Sequence, residues 1–309
     1  MKNKKADIPR YSLDRFRPVH RQDGPATPFG YNQIGKVKII EGFELYSSDG
    51  LIGSMGPLKS AFYRISITVC GTLDMSIGLE TYKHQPRTLS FTFPNQIFSK
   101  SNISRDAFGY YILFDPDFLN DILPAVKVVE EFPFYDTTGT PVFQISDQEL
   151  SSITDLIIRM DSELQQHRTG REKALKMYLY LLLLEAKRSY ERQGLDVSPP
   201  TSDHHALVIR FRKLVSVHYL TKRKVSDYAQ LLSVTPNYLN RVIKDTTGST
   251  ASASIKEMLL QEARSLLRYT DQTISEIAYK LDFSDPASFN RFFRTLTAET
   301  PLTYRNRHH

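Results

Sequence analysis

The sequence predicts a two-domain α+β chain: an antiparallel β-barrel or jelly roll extended by a helical hairpin, then an all-α domain. Three observations carry this. Short segments of alternating apolar and polar residues recur between positions 31 and 145, separated by Gly, Pro and Asn. Two long stretches with helical periodicity follow, from 146 to 193. The last third of the chain holds one helix–turn–helix pattern twice. With 309 residues, two domains are also the expectation from length.

Residues 1–30, rich in Arg, Lys and Pro without periodicity, read as an extended or partly mobile N-terminal arm. In the 31–145 barrel the strand candidates are Lys36–Glu41, Ala61–Cys70 (AFYRISITVC), Ser76–Tyr82, Thr88–Phe93, Tyr110–Phe114 and Val142–Ile145. Asp115–Leu123 reads as a short helical segment with Asp115 as cap and Pro116 in the first turn; the rest of 124–145 is irregular.

The hairpin spans 146–193. Leu150, Ile153, Ile157, Met160 and Leu164 repeat along Asp147–His167, with Ser146 and Glu149 forming a capping box. Gly170 breaks this helix. Arg171–Arg192 contains the run YLYLLLLEA, apolar on more than one face, so it needs cover on two sides. One side is the barrel or the preceding helix. The other is a second protomer, predicting a homodimer, or else further core of the same chain. Residues 194–203 (GLDVSPPTSD) lose periodicity and read as the linker.

The C-terminal domain spans 204–307 and opens with a helix over Ala206–Tyr219. In its second motif Ile274, Ile277, Ala278 and Leu281 form one apolar face and Phe283 ends the run. Asp285 is placed to cap the next helix and Pro286 to occupy its first turn; Phe289, Phe292 and Phe293 form the second face. About fifty residues earlier, Val225, Tyr228, Ala229 and Leu232 echo the first face, Val234 echoes Phe283, and Thr235-Pro236 echoes Asp285-Pro286. Leu239, Val242 and Ile243 echo the phenylalanines, and the second turn is one residue longer. A helix over Ser252–Tyr269 joins the two units.

From His204 to Arg307 the chain resembles the DNA-binding domain of the AraC/XylS family of bacterial transcription regulators. The resemblance covers both motifs, the helix between them and the closing TPLTYR. Asp282 and Ala298 stand where that family usually has glycine. Aspartate tolerates left-handed backbone comparatively well, whereas alanine at 298 strains the final turn. The resemblance implies a cupin-like sensing domain over 31–145, a small-molecule effector or a dimerisation role for it, and RNA polymerase as a further partner.

Charge agrees with a nucleic-acid partner. Residues 201–309 hold 16 of the 40 Lys and Arg but only 10 of the 34 Asp and Glu, so the whole net charge of +6 lies there. The single cysteine, Cys70, precludes an internal disulfide and a cysteine-ligated zinc site, and fits a cytoplasmic protein. MKNKKADIPRYSLDRF lacks the apolar core of a signal peptide, and no apolar run is long enough to span a membrane.

Burying Leu239, Val242 and Ile243 leaves Asn237, Asn240, Arg241 and Lys244 outward on the first reading helix. The equivalent set on the second is Ser284, Ala287, Ser288, Asn290 and Arg291, with Arg294 toward a phosphate. Asn suits adenine edges, Arg suits guanine or phosphate, and Ala287 suits a thymine methyl. The resemblance places these positions near double-stranded DNA. In the barrel, either Tyr63/Ile65/Ile67/Val69 or Phe62/Arg64/Ser66/Thr68 faces inward, and Arg64, Tyr82 and His84 are the candidate effector residues. Two rival functions are a constitutive DNA-binding dimer without an effector and a cupin-type metalloenzyme fused to a DNA-binding domain. The second needs several clustered histidines; the strand region has only His84, and His20, His204, His205, His308 and His309 lie elsewhere. No catalytic residue, cofactor or metal is expected.

Overall fold

A computed structural model describes residues 11–21, 27–33, 38–51, 53–122, 128–136, 139–166, 168–196 and 203–308. Most of the expected linker, His167 and His309 lie outside the described residues.

The first domain contains α1 (Leu13–His20), β1 (Phe43–Ser47), β2 (Met55–Lys59), β3 (Tyr63–Cys70), β4 (Leu73–Ile77), β5 (Glu80–His84), β6 (Thr88–Thr92), β7 (Ile97–Ser101) and β8 (Phe108–Phe114). Then come α2 (Val128–Glu131), a 3-10 turn at Pro133–Tyr135 and β9 (Val142–Gln144). The strands form two sheets rather than one closed barrel, in the orders β1-β8-β3-β6-β9 and β2-β7-β4-β5, antiparallel throughout. They face each other: Arg64 of β3 lies 4.3 Å over the ring of Phe98 of β7, and Thr68 of β3 meets His84 of β5.

Several expectations are corrected. Part of the expected arm is the helix α1, which buries Leu13, Phe16 and His20 in the sandwich. Residues 38–41 make only an isolated bridge at Ile40, with 34–37 outside the described residues. Ser76–Tyr82 is two strands folded at Gly78, whose φ of 59° suits a tight turn. Residues 116–122 form turns, not a helix. Strands β1, β2 and β7 were unforeseen because none has the alternating pattern of a half-exposed strand: β1 is buried at all five positions, and β2 carries Gly and Pro.

The hairpin is α3 (Asp147–Gln165) and α4 (Arg171–Arg192), and α3 starts with the expected Ser146–Glu149 capping box. With the 3-10 turn it covers the outer face of the larger sheet: Phe91 stacks on Phe134 of the turn at 3.9 Å, and Tyr190 of α4 meets Phe143 edge to face at 5.3 Å. Tyr63, Ile65 and Ile67 therefore face the helical side, and Arg64, Ser66 and Thr68 face the other sheet. Leu175, Leu179, Leu182, Leu183 and Ala186 of α4 are all buried within the chain. Ile158, Met177 and Leu181 of the hairpin remain exposed.

The second domain has α5 (Asp203–His218), α6 (Val225–Leu231), α7 (Pro236–Thr247), α8 (Ala251–Tyr269), α9 (Ile274–Lys280), α10 (Pro286–Thr297) and α11 (Pro301–His308). A second core gathers Tyr228, Leu239, Val242, Ile243, Leu259, Ile277, Leu281, Phe289 and Phe293 around α8. Phe292 is only partly buried, stacked 5.1 Å from Phe283.

The domains are joined along β2 and α8. Lys59 Nζ lies 2.8 Å from Glu262 Oε2, and Tyr219 links the two by hydrogen bonds of 2.5 Å to each. Gly56 N donates to Tyr269 Oη at 2.8 Å, while Arg268 donates to the carbonyls of Gly56 and Ser54. Tyr11 Oη donates to the Tyr269 carbonyl, and Arg212 pairs with Glu80. Ile97 of β7 sits in the second core.

Candidate nucleic-acid interface

The two helix-turn-helix units are built alike. Thr235 accepts from Tyr238 N and starts α7; Asp285 accepts from Ser288 N and starts α10, each ahead of a proline in the first turn. Both turns pass through left-handed backbone, at Ser233 (φ 57°) and Asp282 (φ 61°), so the longer second turn keeps the geometry of the first. Both helices end left-handed, α7 at Gly248 (φ 75°) and α10 at Ala298 (φ 63°).

With the apolar faces buried, Asn237, Arg241 and Lys244 of α7 are exposed, as are Ser284, Ala287, Arg291 and Arg294 at α10. None of these cations makes an ion pair among the described residues; Arg241 rests 5.4 Å over the Tyr238 ring. Ser284 and the remaining expected contacts, Asn240, Ser288 and Asn290, are bonded within the fold. Asn240 Oδ1 accepts from Ala251 N, and Asn290 Nδ2 donates to the Pro286 carbonyl. Ser284 and Ser288 both donate to Asp285 Oδ2. Those bonds hold the Asp285 carboxyl down at about 2, chiefly through the Ser288 backbone, so it is an anion at neutral pH.

Two residues not foreseen in the sequence belong here. Arg223, just before α6, donates to the Leu281 carbonyl and lies 4.6 Å over the Phe283 ring, tying the entrance of the first unit to the turn of the second. Lys256 of α8 shares a shallow depression with Ser288, Arg291 and Thr295. Neither follows from the repeat, because both contacts cross between units.

The effector candidates occupy two settings. Arg64 and His84 lie inside the sandwich, 1% exposed each, together with His20 and Lys100. Burial, then Lys100, lowers His84 to about 4, and burial lowers Arg64 to about 10. Tyr82 lines a cavity of about 1460 Å³ bounded also by Lys59, Phe93, Arg212 and Tyr279. It donates to Glu80 at 2.5 Å, and burial raises its hydroxyl to about 12.

A duplicated, capped two-helix unit with both polar faces open defines a tandem helix-turn-helix domain, and residues 228–307 match the family model for a helix-turn-helix domain. Among curated relatives, the chain is 23% identical over 187 residues to the transcriptional activator RhaS of Enterobacter sp. strain 638, covering 60% of this chain and 62% of that one. It is 37% identical over 79 residues to the transcriptional regulator GlxA of Rhizobium meliloti strain 1021, covering 26% and 24%. Each match spans less than two thirds of the relative's length. Among solved structures, fatty-acid-bound ToxT of Vibrio cholerae strain SCE256 aligns over 87% of this chain and 96% of its own, with a TM-score of 0.42 and 12% identity. An AraC-type regulator from Chromobacterium violaceum aligns over 33% and 92%, with a TM-score of 0.31 and 24% identity.

Proposed function

We propose that this chain is a sequence-specific DNA-binding transcription regulator whose first domain biases its grip on double-stranded DNA. The observation that carries this is the pair of open polar faces on α7 and α10, held by a single rigid helix. At 1.5 Å per residue, the 19 residues of α8 span about 28 Å. That length suits two major-groove segments about one turn apart on one side of the duplex. Asn237, Arg241 and Arg291 read bases, and Lys244 and Arg294 meet phosphates. Ser284, Ser288, Asn240 and Asn290 act mainly by shaping the two faces, since each is bonded inside the fold. The decisive measurement is genome-wide mapping of occupied sites, followed by anisotropy titration of the recovered operator with the full chain. A protein that prefers no sequence would end this reading.

The relatives, a transcriptional activator and a transcriptional regulator by name, support regulation over catalysis. No helix among the described residues is long and apolar enough to cross a membrane. We read the protein as acting in the cytoplasm, beside RNA polymerase. The exposed Ile158, Met177 and Leu181 support a homodimer through the α3–α4 hairpin; light scattering that returns a monomer at micromolar concentration overturns it. Arg64, His84 and Tyr82 are the starting points for an effector site.

A further inference from the structure

We infer that the interior of the β-sandwich is an oxyanion site, in which Arg64 and Lys100 hold the carboxylate or phosphate of a small effector. This rests on the effector part of the proposed function and names its chemistry.

Both cations are buried, Arg64 at 1% and Lys100 at 6% exposure. Among the described residues neither has a carboxylate within 4.0 Å, whereas Arg17 and Lys59 each have one and Arg21 is held by carbonyls. Glu44, also buried in this interior, is committed to Arg17 and Tyr46. Arg21 donates to the Ser47 and Asp49 carbonyls and to Tyr111 Oη. Arg64 instead lies over the rings of Phe98, Phe16 and Tyr111, and Lys100 is 5.7 Å from the centre of the same Tyr111 ring. Burial, then Arg64 and Arg21, lower the Lys100 ammonium well below its usual range, so the unpaired groups sit at a cost that a bound anion offsets.

The open valences suit an oxyanion. Arg64 Nε and Nη2 have no partner, and these two N–H groups form the side of the guanidinium that grips a carboxylate or phosphate with two parallel bonds. Ser90 Oγ and Thr92 Oγ1, on the neighbouring strand, are also unpartnered, and Thr92 stands directly opposite Arg64. His20 Nδ1 bonds to the Phe16 carbonyl and His84 Nδ1 to Thr68, so each ring leaves its Nε2 unpartnered in the interior. Among the described residues Glu44 is paired with Arg17, and Glu80, which pairs with Ile77 in the smaller sheet, is paired with Arg212.

Strand register puts Lys100 on the same face of the smaller sheet as part of a cavity lining. Met75 pairs with Lys100 on one side and Tyr82 on the other, and Ile77 pairs with Phe98. Ile77 and Tyr82 line the cavity of about 1460 Å³, so that space adjoins the cation-bearing face of the smaller sheet. Lys100 is also the partner of Met55, the residue before Gly56, whose backbone holds Arg268 and Tyr269 of α8. Occupancy of the site is thereby linked to the central helix of the reading domain.

The test uses the intact chain without DNA, so its result is independent of operator binding. Melting temperature is followed with sodium phosphate, sodium sulfate, sodium benzoate and the neutral benzamide at constant ionic strength. The expected result is a saturable rise of about 4 °C or more with at least one anion and none with benzamide. A response to phosphate or sulfate assigns a phosphate-type ligand; a response to benzoate alone assigns a carboxylate. Oxyanions also stabilise proteins by exclusion from their surfaces, so the same titrations are run on Arg64→Met and Lys100→Met, where the saturable part is lost and calorimetric affinity falls at least tenfold. If a methionine variant gives no cooperative melt, Arg64→Lys, which keeps the charge and loses the two-pronged grip, takes its place with the same tenfold loss expected. A wild-type chain that responds to none of the three anions, equal responses in wild type and variants, or an equal response to benzamide overturns the site.

Discussion

Asn240 Oδ1 accepts the backbone N–H of Ala251 at 3.1 Å, closing the corner between α7 and α8. The same offset in the second unit runs from Asn290 to Pro301, which has no N–H, and Asn290 turns back to the Pro286 carbonyl of its own helix at 2.9 Å. Two asparagines at equivalent positions of a repeat thus do different work. Asn240→Ala should lower unfolding free energy by about 1 kcal/mol, as loss of a helix-start bond does, while Asn290→Ala should change it by less than about 0.5 kcal/mol. Urea denaturation of the two variants compares them directly.

Base contact and fold support separate by burial. Asn237→Ala and Arg291→Ala remove exposed groups, so stability should stay within about 0.5 kcal/mol while operator affinity falls about tenfold or more. Lys244→Ala and Arg294→Ala should each flatten the salt dependence of binding by about one phosphate contact, whatever the sequence. Leu239→Ala and Phe289→Ala, fully buried, should cost about 2–5 kcal/mol. Anisotropy across a salt series, paired with thermal melts, sorts the six; unchanged operator affinity of Asn237→Ala and Arg291→Ala removes the recognition assignment.

Ala298 ends α10 at φ 63°, where Gly248 ends α7 at φ 75°. An alanine in left-handed backbone is strained by about 1 kcal/mol, so Ala298→Gly should stabilise the second domain by roughly that amount. A melting temperature that falls would show the turn is held by something other than backbone preference.

Lys59 and Glu262 form a buried pair between the domains, with side chains 10% and 0% exposed. Glu262→Gln or Lys59→Met alone leaves its partner buried without a counter-charge and should cost about 3–5 kcal/mol. The double variant Lys59→Met/Glu262→Leu should recover much of it. Denaturation of the three variants, with proteolysis to report separation of the domains, measures the coupling.

Burial and then Lys100 lower His84 to about 4, and burial lowers His20 well below its usual range. Between about 4 and 6.5 the folded chain holds fewer protons than the unfolded one, so stability falls as pH drops through that window. For His84 alone the loss is on the order of 2–3 kcal/mol, reached near pH 4. Thermal melts from pH 8 to 4 should show it, and His84→Gln should remove its share.

Legibility in the sequence followed periodicity. The repeat carried both caps, the register of the buried faces and the one-residue difference in the turns, because a capped amphipathic helix writes its pattern within a dozen residues. The capping box of α3 was legible for the same reason. Strands β1, β2 and β7 were not: β1 is buried on both faces, β2 carries Gly and Pro, and IFSKS of β7 does not alternate apolar with polar. The reading residues were named by type and spacing, yet local chemistry could not show that Asn240, Ser284, Ser288 and Asn290 are bonded within the fold.

By itself the sequence determined the class of each half, the duplication and the polar faces of α7 and α10, since these depend on neighbours at most one or two helical turns away. Tertiary structure alone decided that the strands stay as two facing sheets, that Arg64 and Lys100 both lie near the Tyr111 ring with no carboxylate among the described residues within 4.0 Å, and that Lys59 reaches Glu262. Those relations join residues from 36 to 203 positions apart, and burial, not local spacing, sets their energies.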